Sequence, residues 1–94
     1  MVIRIGLIGS GVVTQKAHIP AISKNPNFRI TAFCRRDVSK LQGLQSQFPH
    51  AKSYSDAKDL INSGEVDCVL IAADVDVHLS IAQMALDNDL YVLL

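Results

Sequence analysis

Five short runs that read as β-strands, each separated from the next by a stretch with helical spacing, limit what this chain can fold into more than any other feature. The runs are residues 2–8 (VIRIGLI), 28–34 (FRITAFC), 51–54 (AKSY), 66–73 (VDCVLIAA) and the start of a fifth at 90–94 (LYVLL). Between them, apolar residues recur at helical intervals. Val12, Val13 and Ala17 do so until Pro20 forces a break or a new turn. Asp37 is placed to cap a helix carrying Leu41, Leu44 and Phe48, which Pro49 closes. Ser55 caps a helix with Leu60 and Ile61, and Asp76 one with Val77, Ile81, Met84 and Ala85 on one face. Strands separated by helices cannot form hairpins, so they pair in parallel through right-handed crossovers that place helices on both faces. A sheet buried on both sides also explains why the first and fourth runs are almost continuously apolar. The expected fold is α/β, a doubly wound parallel sheet of strand order 3-2-1-4-5.

Composition narrows the function. A chain of 94 residues supports one domain, and 49% hydrophobic with 19% charged residues describes a globular protein. Nine acidic and nine basic residues balance, which leaves no basic face for nucleic acid and no polybasic patch for a membrane. No apolar run reaches membrane-spanning length, and no charged segment leads into a cleavable signal, so the expected compartment is the cytoplasm. Cys34 and Cys68 sit in separate apolar runs without metal-type spacing and read as buried small hydrophobes.

The glycine-rich stretch GLIGSGVVTQKAH, residues 6–18, follows the first strand directly. In an open parallel sheet, ligands bind beyond the carboxyl ends of the strands where the strand order reverses, here between the first and fourth strands. Gly9 suits a tight turn there, and Gly11 lets the backbone approach a bulky anion with no Cβ in the way. The helix N-terminus that follows offers unpaired N–H groups and partial positive charge. Gly9, Ser10, Gly11, Val12 and Val13 are therefore the candidate diphosphate cradle. The third motif position, ordinarily Gly or Ala, is Thr14. At the end of the second strand, where dinucleotide folds commonly carry an acid that binds ribose hydroxyls, the chain has Arg35 followed by Arg36. Guanidinium groups match a 2′-phosphate, so NADP is favoured, with NAD possible; Lys40 is a candidate third positive charge.

The segments IRIGLIGSGVVTQKAHIPAI, FRITAFCRRD and DCVLIAADVDVHLSIAQMALDNDLYVLL resemble, in order and spacing, the nucleotide-binding half of the glucose-fructose oxidoreductase, inositol dehydrogenase and rhizopine-catabolism family of NAD(P)-dependent dehydrogenases. The resemblance covers the whole chain. It implies that the residues after the fourth strand, Ala72, Ala73 and Asp74, contact the cofactor, and that His78 lies near it. The family's Ala-Thr-Pro-Asn-like turn is here Ala73, Asp74, Val75, and read alone His78 fits a helix-surface or capping residue better than a cofactor contact.

The resemblance further implies a lysine just past the fifth strand and a C-terminal α/β domain that binds substrate. The chain stops at Leu94 in mid-strand, so residues 1–94 are expected to be a nucleotide-binding domain cut before that second domain, with no catalytic residue of its own. The implied activity is hydride transfer between a nicotinamide cofactor and a sugar- or cyclitol-like alcohol or carbonyl. The implied partners are a small-molecule substrate held by the second domain and further copies in a homo-oligomer. A non-catalytic dinucleotide-sensing regulator, or a doubly wound module for another nucleotide, stays open on the residues alone.

Overall fold

The computed structural model of the chain describes residues 2–9, 19–35, 42–72 and 75–93, with the side chains of Leu44 and of residues 75–78 outside that description. The elements run β1 (Ile3–Ile8), α1 (Ile19–Ser23), β2 (Phe28–Cys34), α2 (Gln42–Gln47), β3 (Lys52–Tyr54), α3 (Ala57–Ile61), β4 (Cys68–Ile71), α4 (Val75–Asp87) and β5 (Tyr91–Leu93). The five strands form one sheet of order β3-β2-β1-β4-β5, and every pairing is parallel. This is the doubly wound α/β fold that the alternation of strands and helices predicts.

Two cores follow from the alternation of side chains along the strands. Ile5, Leu7, Ile30, Phe33, Cys68 and Leu70 face Ile19 of α1, with Ile22 and Phe48 packed against them. Phe33 and Phe48 meet with ring centroids 5.8 Å apart and planes tilted by 55°, an arrangement aromatic pairs favour. On the other face, Ile8, Ala32, Cys34, Val69 and Ile71 pack against Leu60 and Ile61 of α3 and Ala85 of α4. Helices thus cover both faces, which is why β4 is buried along its full length.

One irregularity lies in β2. Ile5 of β1 pairs with Ile30, but Gly6 pairs with Ala32, so Thr31 is an extra residue in a bulge. Its hydroxyl donates to the Glu65 carbonyl at 2.7 Å. Ile30 and Ala32, two apart in sequence, consequently face opposite cores. The bulge therefore sets the phase of everything that follows it in β2, up to Arg35.

Helix starts differ from the sequence reading in two places. The cap of α3 is Asp56, not Ser55: its carboxylate accepts from the Lys58 amide at 2.9 Å. A carboxylate at this position also complements the helix dipole. Asp76 is the second residue of α4 rather than its cap, because the helix begins at Val75. The predicted caps and apolar residues at Asp37 and Leu41 lie outside the described residues. The fourth strand begins at Cys68 rather than residue 66, and Asp67 just before it is clasped to Arg4 of β1. Its carboxylate accepts from the Arg4 amide and Nε through Oδ2, at 2.9 and 3.2 Å, and from a second guanidinium nitrogen through Oδ1 at 2.9 Å. The Asp67 amide returns a bond to the Arg4 carbonyl at 2.8 Å. These bonds fasten β1 to the approach of β4 at the amino end of the sheet.

Candidate functional site

The carboxyl ends of β1, β2 and β4 finish level with one another, since Ile8 pairs with both Cys34 and Ile71. The first residue beyond each strand is tied to a neighbour. The Gly9 amide donates to the Cys34 carbonyl at 2.9 Å, the Arg35 amide to the Tyr54 carbonyl at 3.0 Å, and the Ala72 amide to the Ile8 carbonyl at 2.8 Å. Three of the residues singled out from the sequence, Gly9, Arg35 and Ala72, are therefore brought to one end of the sheet. They span the β1/β4 boundary where the strand order reverses, the place at which open parallel sheets bind ligands.

Gly9 has φ of +72°. A residue with a Cβ is strained by about 1 kcal/mol or more in this left-handed region, so glycine is the residue that lets the chain leave β1 in this direction. The turn is anchored at its first amide by the Cys34 carbonyl, which fixes where the following backbone starts. Arg35 is half-buried at the end of β2, and its place in the sequence of alternating faces is fixed by the Thr31 bulge.

The other predicted site residues are distributed as follows. Ser10, Gly11, Val12, Val13, Thr14, Arg36, Lys40, Ala73 and Asp74 lie outside the described residues. His78 belongs to α4, which leaves the same end of the sheet after β4, and its side chain is outside the description. The residues that the sequence did not single out are Cys34 and Tyr54, whose contribution is a backbone carbonyl. No side-chain pattern signals such a role; only strand register places them.

Electrostatics at this end argue against thiol chemistry. Cys34 is buried, and burial pushes its thiol up to about 11, with the charges of Asp56 and Asp59 adding in the same direction. It is a neutral thiol at physiological pH and no nucleophile. Cys68 is likewise raised, first by burial and then by Asp67. The Arg4 and Asp67 pair shows the opposite behaviour at the far end of the sheet. Hydrogen bonds from the guanidinium, and then from the Arg4 amide, hold the Asp67 carboxyl below its ordinary range. Among the described residues no group of three His, Cys, Asp or Glu side chains is placed to hold a metal ion, and no helix is long and apolar enough to cross a membrane. Two cavities of about 240 and 500 Å³ flank the start of β2, at the opposite end from Gly9.

Known proteins share this fold and resemble the chain in sequence. A family model described as an oxidoreductase family with an NAD-binding Rossmann fold matches residues 3–94. The chain is similar to YdgJ of Escherichia coli K12, named as an uncharacterised oxidoreductase, at 29% identity over 96% of this chain and 25% of the relative. It is also similar to an inositol 2-dehydrogenase of an Arthrobacter species, at 30% identity over 97% of this chain and 27% of the relative. Its fold superposes on the crystal structure of scyllo-inositol dehydrogenase from Lactobacillus casei with bound NAD(H) and scyllo-inositol. There the TM-score is 0.89 at 20% identity, covering 98% of this chain and 27% of that one. The chain thus spans about a quarter of the length of the relatives it matches.

Proposed function

Because the chain belongs to the Gfo/Idh/MocA oxidoreductase family, with its NAD-binding Rossmann fold, we propose that residues 1–94 are the dinucleotide-binding domain of an oxidoreductase that prefers NADP(H). In this reading the backbone from Gly9 to Val13 receives the diphosphate, and Arg35 with Arg36 receives the 2′-phosphate of the adenosine ribose. Ala72, Ala73, Asp74 and His78 border the nicotinamide end. The observation that carries the reading is the left-handed turn at Gly9, tied to Cys34 at the point of strand reversal. Gly9 itself brings no Cβ to the point where the chain leaves β1.

The bound cofactor would supply the hydride chemistry, and this domain binds and orients it. The reaction is hydride exchange with an alcohol or carbonyl on a sugar- or cyclitol-like substrate, which the inositol dehydrogenases among the relatives support. Those relatives are longer, and the substrate pocket belongs to a second domain of the parent protein.

Fluorescence titration of the chain with NADPH, NADH and ATP tests the binding. NADPH is expected to bind more tightly than NADH, and both more tightly than ATP. Arg35→Asp removes a charge-assisted contact and adds a repulsive charge, so the NADPH:NADH preference should fall by about tenfold to a hundredfold, given ~1.5–3 kcal/mol for a hydrogen bond to a charged group. An unchanged ratio would remove the NADP preference, and equal feeble responses to all three nucleotides would overturn the dinucleotide reading itself. Assay of the parent protein with NADP⁺ against a panel of inositols and aldoses tests the substrate class.

A further inference from the structure

Arg35 and Arg36 bring positive charge to the end of β2, and the neighbouring strand delivers negative charge to the same place. Cys34, the last residue of β2, pairs in register with Tyr54, the last residue of β3. The Arg35 amide continues that ladder by donating to the Tyr54 carbonyl at 3.0 Å. Two residues after Tyr54 the chain reaches Asp56, which is held in place: its carboxylate caps α3 by accepting from the Lys58 amide at 2.9 Å. Asp59 follows in the first turn of the same helix. Both acids are exposed, and among the described residues no ion pair, to Lys58 or to any other base, neutralises either one.

Their charge reaches the end of β2. The Cys34 thiol, one residue before Arg35, is raised first by burial, then by Asp56 and then by Asp59. One strand spacing of about 4.8 Å and the short step from Tyr54 to Asp56 put this carboxylate on the order of 10 Å from a phosphate held at Arg35. At that range two negative groups repel measurably in water of low ionic strength, and weakly once salt screens them.

We propose that Asp56, with Asp59 behind it, is a specificity-determining residue that holds down the preference for NADP(H), so that the domain uses NAD(H) as well. This rests on the reading of the β2 end as the seat of the adenosine ribose. NADPH differs from NADH there by one phosphate, so a fixed carboxylate nearby penalises NADPH selectively. Dinucleotide folds commonly place an acid at the end of the second strand, where it binds ribose hydroxyls directly. Here the acid follows the third strand instead, and it acts through its field rather than through contact. The preference is then a balance between two arginines that attract the 2′-phosphate and two α3 carboxylates that repel it.

Fluorescence titration of the chain with NADPH and NADH, at about 20 mM and about 500 mM salt, tests the balance, with circular dichroism as the check on folding. Asp56→Asn removes the charge and keeps a side chain of similar capping strength. It should raise the NADPH:NADH affinity ratio about two- to fourfold at low salt, and Asp56→Asn with Asp59→Asn about three- to tenfold, both gains shrinking at high salt. Asp56→Glu retains the charge and should leave the ratio near that of the native chain. Asp89→Asn makes the same charge change just before β5, at the opposite end of the sheet, in a left-handed conformation that asparagine adopts readily, and should leave the ratio unchanged. An unchanged ratio for Asp56→Asn at low salt, or a gain undiminished at high salt, would overturn the proposal. Arg35→Asp in the same titrations separates the two claims. A fall in ratio there with no rise for Asp56→Asn removes this proposal alone, whereas failure of the native chain to bind either nucleotide removes the dinucleotide reading and the proposal with it.

Discussion

Gly6 lies in the middle of β1, and replacing it with alanine measures how closely α3 is seated on the sheet. A Cβ at this position would come within 2.8 Å of Leu60 Cδ2 and 2.9 Å of Val66 Cγ1, distances that real Cβ atoms essentially never show. Leu60 is fully buried and Val66 nearly so, at 0% and 4% exposure, so neither methyl has solvent to move into. A rotation of Leu60 also brings its other methyl closer, since Cδ1 already stands 3.5 Å away. The substitution must therefore push α3 and its connection to β4 outward. Overpacking of this kind costs about 1–3 kcal/mol, and for a domain of this size each 1 kcal/mol lowers the melting temperature by roughly 4–8 °C. The matched control is Gly43→Ala in α2, where an added Cβ meets nothing within 4 Å. That change should stabilise by about 0.5–1 kcal/mol, the helix preference of alanine over glycine. Urea denaturation of both variants reads the difference directly. If Gly6→Ala proved neutral or stabilising while Gly43→Ala behaved as stated, the close seating of α3 on β1 would be wrong.

Three further predictions follow from the same packing and charge arguments. Deleting Thr31 should be tolerated, because Ile30 and Ala32 then become neighbours that alternate naturally between the cores each already occupies. The loss should be near the ~1 kcal/mol of the hydrogen bond to the Glu65 carbonyl, read as a shift in urea midpoint, and a global collapse would contradict the bulge assignment. Because Asp67 is held below the ordinary carboxylate range by Arg4, the unfolded chain takes up its proton first as the solution is acidified. Its stabilising contribution is complete above the unfolded pKa of about 4 and is lost as pH falls through the lower folded value. Asp67→Asn should flatten that part of the acid dependence, and unchanged acid midpoints would refute the pairing. At the alkaline end, the Cys34 thiol rises from 9.0 to about 11 on folding. Stability should therefore fall by about 2–3 kcal/mol between those values as the unfolded thiol ionises first. Cys34→Ala should reduce the slope, leaving the part that the similarly raised Cys68 thiol contributes, and alkylation of native Cys34 at neutral pH should be slow; rapid reaction would refute its burial.

Particular residues show what was legible in the sequence and what was not. β2 was readable to its ends because FRITAFC lies between the Asn25-Pro26-Asn27 turn and the charged Arg35, with β-branched and aromatic residues throughout. Parallel pairing followed from alternation, and one crossover handedness left few strand orders, of which 3-2-1-4-5 is a common one. The Thr31 bulge was hidden, because a single extra residue in an apolar strand leaves the composition unchanged and shifts only the phase. Capping by Asp56 instead of Ser55 was hidden for a related reason: both residue types cap helices, and one residue of register decides between them. The Arg4 and Asp67 clasp joins positions 63 residues apart; local pattern reading does not see such pairs. At the candidate site, Gly9 and Arg35 were readable because each follows a strand, and Ala72 was readable only through the family resemblance. The carbonyls of Cys34 and Tyr54 that hold Gly9 and Arg35 in place were not, since every residue has a carbonyl.

The central claim is that a dinucleotide diphosphate is received by backbone amides immediately after Gly9. Amide chemical-shift mapping of the isotopically labelled chain, titrated with NADP⁺, tests it most directly. The account predicts that the largest shifts fall on the amides of residues 9–13, with a second group at Arg35 and Arg36. Shifts confined to the cavities beside the start of β2, or spread evenly over the sheet with the glycine amides unmoved, would contradict it.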